Sequence, residues 1–465
     1  MIRTLTGWLP LVALALTAGA TWVSTQEPQY PALVVVLCVV MLLAVRLSAP
    51  DTYRLLMHPF RRYRRSTRVL RRWRRSMLAL NMDKRDEDAL NSRPPRLNRV
   101  RTDALLNTQG TVKLSGVHSI ADIQKQTDRL QTAFNAEEVR LTATDHPRRF
   151  TLQVIATNPL TLDLPEERWL TWITKAHDLN RLPIGQNETN QQLTLDLTSE
   201  HVLIGGATGS GKSTLLAAII GAIITTRPVR PTLVLCDPKR VELAAWRSAA
   251  SVTATDMEDI AQAIHDVHEV MEARYDLMEQ HGVRGTIPAQ LLDDLGGPVF
   301  LIIEELSSVV SHGDKEALKA LDEISRKGRA AGIHLICALQ SPKAENFKGT
   351  GSLRDQLGCQ IAAHVARTSD SDVILGQGTS TDPNNPLDAS EITLPGEVII
   401  RNAARTQRGR SPLLTDATVE HIAQQNPARD TWATILDRHH LTPAPDDETS
   451  DTPTPDPTHE KQPAS

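Results

Sequence analysis

Aromatic side chains are scarce, only 3% of the 465 residues, which weakens any mechanism that stacks bases against rings. Cysteine is also thin. The four present, Cys38, Cys236, Cys337 and Cys359, lie far apart; neither metal-ligand spacing nor a disulfide framework is visible, so a reducing compartment is the simpler expectation for the body of the chain. Net charge is small, −4, but it hides an asymmetry. Eleven arginines and a single acid, Asp51, fall between Arg46 and Arg75, roughly +10 in one stretch, which leaves the remainder acidic by about 14. The bulk is therefore no generally basic surface, and any nucleic acid would have to be held in a local groove or channel.

The length suggests two or three units. Two apolar stretches open the chain, about Trp8 to Val23 and Tyr30 to Val45, each near the shortest length that crosses a bilayer. The first also fits a cleaved signal peptide. A second stretch and the arginine run follow at once, so a two-span hairpin with a cytoplasmic basic flank is the favoured reading. The segment Phe60–Arg75 (FRRYRRSTRVLRRWRR) then reads as a juxtamembrane helix against anionic lipid, with a nucleic-acid arm as the other use of the same charge. Strand alternation at 111–114, 139–142 and 150–155, with a helix over 120–134 opened by Ser119, predicts a small α+β unit. After Leu441 the chain turns to proline, threonine and acids without apolar periodicity, which predicts disorder.

The chemistry lies between. Gly206, Ala207, Thr208, Gly209, Ser210, Gly211, Lys212 and Ser213 satisfy G-x-x-x-x-G-K-[ST] between an apolar strand at 202–204 and a helical run from Thr214. Glycines let backbone N–H groups close round phosphates at a helix N-terminus. Lys212 should reach the β- and γ-phosphates of ATP, and the Ser213 hydroxyl should ligate Mg²⁺; Thr214 completes the expected nucleotide-binding set. A second apolar strand, Val299–Ile303, ends in Glu304 and Glu305. Glu304 would orient Mg²⁺ through water, and Glu305 would position and polarise the attacking water. A third strand, Ile333–Leu339, delivers Gln340 to the same sheet edge, where an amide can sense the γ-phosphate. A fourth, Thr232–Cys236, ends at Asp237, which reads as a supporting residue. Before the third strand, Arg329 lies in SRKGRAAG (325–332), where an exposed arginine could enter a neighbouring subunit's site and stabilise transition-state charge.

The stretches HVLIGGATGSGKS (201–213), DPKRVEL (237–243), RKGRAAGIHLICALQ (326–340), LPIG (182–185) and EARYDLM (272–278) together resemble the FtsK/SpoIIIE family of DNA-translocating ATPases. The resemblance covers about half the chain, from roughly Arg181 to Ile400. It implies a RecA-like α/β domain with a mostly parallel sheet, forming a homo-hexameric ring that drives double-stranded DNA through its channel. It implies Lys212, Ser213 and Glu305 as ATP residues and Arg329 as the finger in trans. Loops after Gln340 would face DNA, with Lys343, Lys348 and Arg354 as phosphate contacts. Members usually carry Asp where this chain has Glu304.

The expected layout is a transmembrane hairpin over 1–48, an arginine-rich connector over 49–95 and an α+β domain over 96–175. The motor follows over 176–412, then helices over 413–440 and the tail over 441–465. This layout resembles the transfer or coupling proteins of conjugative plasmids and integrative elements, which implies a multi-pass cell-membrane location with a cytoplasmic motor, and a relaxase or other transfer proteins as partners. The alternatives are a coupling protein for relaxase-bound single strands, a division-associated chromosome translocase and a type VII protein-secretion ATPase.

Overall fold

The computed structural model describes residue 40, residues 44–80 and 82, and residues 94–441 apart from 104, 115–118, 145, 147, 227–230, 383–386 and 404. The tail after Leu441 and the apolar stretch 8–23 lie outside these residues, as does nearly all of 30–45. Among the described residues no helix is long and apolar enough to cross a membrane. The chain divides into two compact units, 1–159 and 160–465.

In the first unit, strands β1 (Arg96–Thr102), β2 (Thr108–Lys113), β3 (Glu138–Ala143) and β4 (Arg149–Ile155) form an antiparallel sheet in the order β1-β2-β4-β3. The expected helix over 120–134 is two, Ile120–Gln124 and Thr127–Phe134, the first opened by a capping box between Ser119 and Asp122. The arginine-rich segment is a helix, Pro50–Ala79, and it belongs to this unit's core. Val69, Trp73 and Met77, four residues apart on one face, are buried with Val112, Phe134 and Phe150. Trp73 Nε1 donates to the Pro95 carbonyl at 2.8 Å. The helix is therefore no free juxtamembrane rod: one face is packed, while Arg61, Arg64, Arg68, Arg71 and Arg75 are exposed.

The second unit is built on a ten-stranded sheet. Its strands are β5 (Leu182–Asn187), β6 (Gln192–Leu195), β7 (Val202–Gly205), β8 (Thr232–Cys236), β9 (Val252–Ala254), β10 (Val299–Ile303), β11 (Ile333–Leu339), β12 (Cys359–Ala362), β13 (Glu397–Arg401) and β14 (Thr406–Arg410). The order is β6-β5-β14-β13-β12-β7-β11-β10-β8-β9. The six strands from β12 to β9 are parallel, and β13, β14, β5 and β6 extend them antiparallel. Alternate residues of each central strand serve opposite faces. Leu301, Ile303, Leu335 and Cys337 meet helices Met257–Gln280 and Lys315–Lys327. Phe300, Ile302, Ile336 and Ala338 meet helix Lys212–Thr225. Burial on both faces is what makes these strands read as unbroken apolar runs. Residues 160–175, expected with the small domain, lie in the second unit: helix Glu166–Ile173 packs Trp169 and Ile173 into the same core as Leu215 and Ile219. Cys236, Cys337 and Cys359 are free thiols, and burial pushes each up to about 12.

Candidate functional site

Parallel strands deliver all their C-terminal ends to one edge, and the candidate residues gather there. β7 runs into the glycine loop, β10 into Glu304 and Glu305, β11 into Gln340 and β8 into Asp237. β11 lies between β7 and β10, so Gln340 emerges between the loop and the two acids.

Backbone bonds anchor the loop at both ends. Gly206 N–H donates to the Leu339 carbonyl at 3.2 Å, Ala207 N–H to that of His364 at 2.8 Å, and Gly396 N–H to that of Ser210 at 2.8 Å. Thr208, Gly209 and Ser213 are exposed, and Thr214 is half-buried. Gly211 caps helix Lys212–Thr225 at φ +93°, and a Cβ there would lie 2.3 Å from Gly396 N. Only glycine satisfies both the backbone angle and the approach.

Lys212 donates its Nζ to Glu304 Oε1, with side chains only 4% and 0% exposed. The other oxygen, Glu304 Oε2, is buried with no partner among the described residues, as is Ser210 Oγ. Buried polar atoms normally find partners, and here two orphans sit beside a lysine and the exposed Ser213 hydroxyl. That donor set fits phosphate oxygens with a hydrated Mg²⁺: hard oxygen ligands and few protein contacts. Glu305, also buried, is held differently. Lys239 Nζ donates to its Oε2 at 3.0 Å and Ser307 Oγ to its Oε1. Asp237 organises the loop that carries Lys239, accepting from Lys239 N–H at 3.1 Å and Leu243 N–H at 2.9 Å.

Arg329 lies elsewhere. It sits in the short turn Gly328–Ala331 that precedes β11, at the opposite edge of the sheet from Gln340. It is exposed, and its Nη1 donates to the Ser199 carbonyl. Its hydrogen bond goes to Ser199 and not to either acid of the same chain. Lys343 and Lys348 are exposed in the segment after Gln340. Arg354 is not available in the way they are, because its guanidinium donates to the Val373 carbonyl at 2.8 Å and lies over the Phe347 ring.

Sequence reasoning missed Lys239 and Ser307 as partners of Glu305. It also missed a cavity of about 290 Å³ beside the loop, lined by Gly211, Thr214, Pro395, Gly396, Arg410 and Leu413 among others. Arg410 is fixed there by Asp163 at 2.8 Å and by the Leu160 and Pro395 carbonyls.

Residues 166–314 match the family model of FtsK/SpoIIIE. The DNA translocase FtsK of Chlorobaculum tepidum is 29% identical over 272 residues, 53% of this chain and 32% of its own length. That of Staphylococcus aureus is 31% identical over 211 residues, 42% of this chain and 26% of its own. The chain thus spans a third or less of the length of these two translocases. Among solved structures, the pCW3 conjugation coupling protein TcpA in a monomer form with ATPgS is 18% identical, with a TM-score of 0.48, covering 77% of this chain and 99% of that one. The cytoplasmic domain of the Thermomonospora curvata type VII secretion ATPase EccC is 22% identical, with a TM-score of 0.43, covering 59% of this chain and 33% of that one.

Proposed function

From a chain that carries an FtsK/SpoIIIE domain, we propose an ATP-driven DNA translocase, anchored in the cell membrane by its N-terminal hairpin. In this reading it moves double-stranded DNA through a homo-hexameric ring during conjugative or mobile-element transfer. The observation that carries the ATPase reading is the buried Lys212–Glu304 pair, followed at once by Glu305.

In the proposed mechanism Lys212 exchanges its carboxylate partner for phosphate oxygens when ATP enters, and Ser210 Oγ gains an acceptor. The cavity at Thr214 and Arg410 then takes the base and ribose. Mg²⁺, held by Ser213 and through water by Glu304, would neutralise charge on the phosphates. Glu305 accepts the proton of the attacking water, and Gln340 contacts the γ-phosphate from between the two strands. Arg329 of a neighbouring subunit supplies the remaining positive charge. Its position at the far sheet edge supports action in trans, and with it the ring. The exposed lysines after Gln340 suit phosphate contacts that carry affinity without reading sequence. The two apolar stretches and the basic face of helix Pro50–Ala79 support the membrane reading.

The test is hydrolysis by the purified full chain in detergent. Duplex DNA should raise the rate several-fold, and Lys212→Ala should abolish it. A rate that DNA leaves flat while a secreted substrate peptide raises it would transfer the chain to protein export. Stimulation by single strands alone would make it a coupling protein for relaxase-bound DNA.

A further inference from the structure

Three side chains from one turn of helix Met257–Gln280 converge on the segment that presents Arg329. Glu272 Oε1 accepts from Lys327 Nζ at 3.2 Å. Tyr275 Oη donates to the Lys327 carbonyl at 2.9 Å. Arg274 lies between them in sequence and is wholly buried. Its Nη1 donates to the Ala331 carbonyl at 2.9 Å and to that of Gly332 at 3.5 Å. Its Nη2 donates to the carbonyls of Gly297, at 3.0 Å, and Leu295, at 3.4 Å; its Nε donates to His439 Nε2 at 3.2 Å.

A buried guanidinium is expensive unless every donor finds an acceptor. Here all three nitrogens do, yet among the described residues Arg274 makes no ion pair. Burial lowers its pKa to about 9, so it stays charged near neutrality. Four of the five acceptors are backbone carbonyls, so the charge is spent mainly on fixing backbone. The backbone it fixes is the end of the Gly328–Ala331 turn and the glycine pair before β10. Gly332 closes the turn at φ +72°, where a Cβ would meet Leu292 at 2.7 Å and Arg274 Nη1 at 3.5 Å. Arg329 itself is exposed. An exposed arginine reaches a neighbour reproducibly only if its Cα is held, since its side chain already has much rotamer freedom to lose.

We infer that Glu272, Arg274 and Tyr275 are positioning residues for Arg329, a clamp that sets the finger's backbone from the inner side of the turn. The inference rests on the proposed role of Arg329 in trans and gives the EARYDLM motif a task that nucleotide binding does not.

Subunit mixing tests it in the full chain. Lys212→Ala subunits offer an intact finger but a dead site. Arg274→Lys and Tyr275→Phe subunits should keep their own sites and offer a misplaced finger. Alone, Arg274→Lys is expected to lose kcat on the order of 10-fold, and Tyr275→Phe several-fold, with the KM for ATP unchanged. Mixed with Lys212→Ala, each should recover hydrolysis per intact site, as Arg329→Ala should. Tyr275→Phe removes one exposed hydrogen bond and keeps the ring, so it remains informative if Arg274→Lys does not fold. Recovery by Arg329→Ala without recovery by the clamp variants overturns the clamp alone, because their defect then lies in their own sites. Wild-type turnover by Tyr275→Phe also overturns it. If Arg329→Ala itself does not recover, the finger in trans is lost and the clamp with it.

Discussion

Lys239 Nζ donates to Glu305 Oε2 across 3.0 Å, tying the loop after β8 to the acid after β10. The partners are 66 residues apart in sequence, and the bond fixes one oxygen of the residue proposed to activate water. Lys239→Met should leave ATP affinity within about two-fold and lower kcat on the order of 10-fold, since a loosened base loses its alignment. Steady-state kinetics beside nucleotide titration separates the two. A rate at or above wild type would mean that Lys239 restrains Glu305 rather than aims it.

The Lys212–Glu304 pair carries a stability consequence as well as a catalytic one. Lys212→Ala leaves a buried carboxylate without its cation, which should cost about 3 kcal/mol in nucleotide-free protein. Glu304→Asp keeps the charge and withdraws it by one methylene, so hydrolysis should persist or rise. Complete loss on Glu304→Asp would show that the two acids have their roles reversed.

Two glycines of the loop share a backbone region but not a neighbourhood. Gly209 has φ +79° with open space where its Cβ would be, whereas Gly211 at φ +93° would collide with Gly396. Gly209→Ala should therefore cost only the left-handed backbone, about 1 kcal/mol. Gly211→Ala must also move the Pro395–Gly396 turn, and ATP affinity should fall by a further factor of about 10 or more. A fluorescent nucleotide titration reads both, and equal losses would contradict the close approach.

Stability should fall in mild acid through three buried histidines, one of them His439, which burial lowers to about 4. Burial lowers His201 to about 3 and His334 to about 4, with nearby Arg329 adding to both shifts. His201 Nδ1 accepts from Leu335 N–H at 2.9 Å, and His334 stacks on Phe300 with ring centroids 5.0 Å apart. Unfolded histidine titrates near 6.5. The unfolded chain thus binds more protons below that pH, and the contribution present above 6.5 is lost as pH falls towards 4 and 3. His334→Phe removes one of the three groups and keeps the stack. Its melting temperature should drop less between pH 7 and pH 5 than that of the wild type.

How far the sequence carried depends on how each residue meets its partners. β7, β8, β10 and β11 are buried on both faces, so each is an apolar run ending in its functional residue, and all four were readable. The antiparallel extension was harder. β14 (TQRGR) has one buried residue, Gly409, and β1 (RLNRVRT) only two, Leu97 and Thr102; neither shows a period. In helix Pro50–Ala79 the stripe Val69, Trp73, Met77 stands at helical spacing, but the arginines between them mask the packed face. Lys239 and Ser307 were invisible for another reason. Lys239 acts across the sheet, 66 residues from its carboxylate, whereas Ser307 lies only two residues past Glu305 and no motif marks it.

The central position of β11 has a mechanical corollary. One strand of seven residues, about 23 Å at 3.3 Å per residue, begins beside Arg329 and ends at Gln340. It is hydrogen-bonded on both sides, to β7 and β10. A strand so flanked cannot slide without breaking both ladders, so it is a rod of fixed length, with the amide at one end and the arginine's turn at the other. In a ring of such subunits, the state of one nucleotide and the reach towards the next would be opposite ends of the same rod.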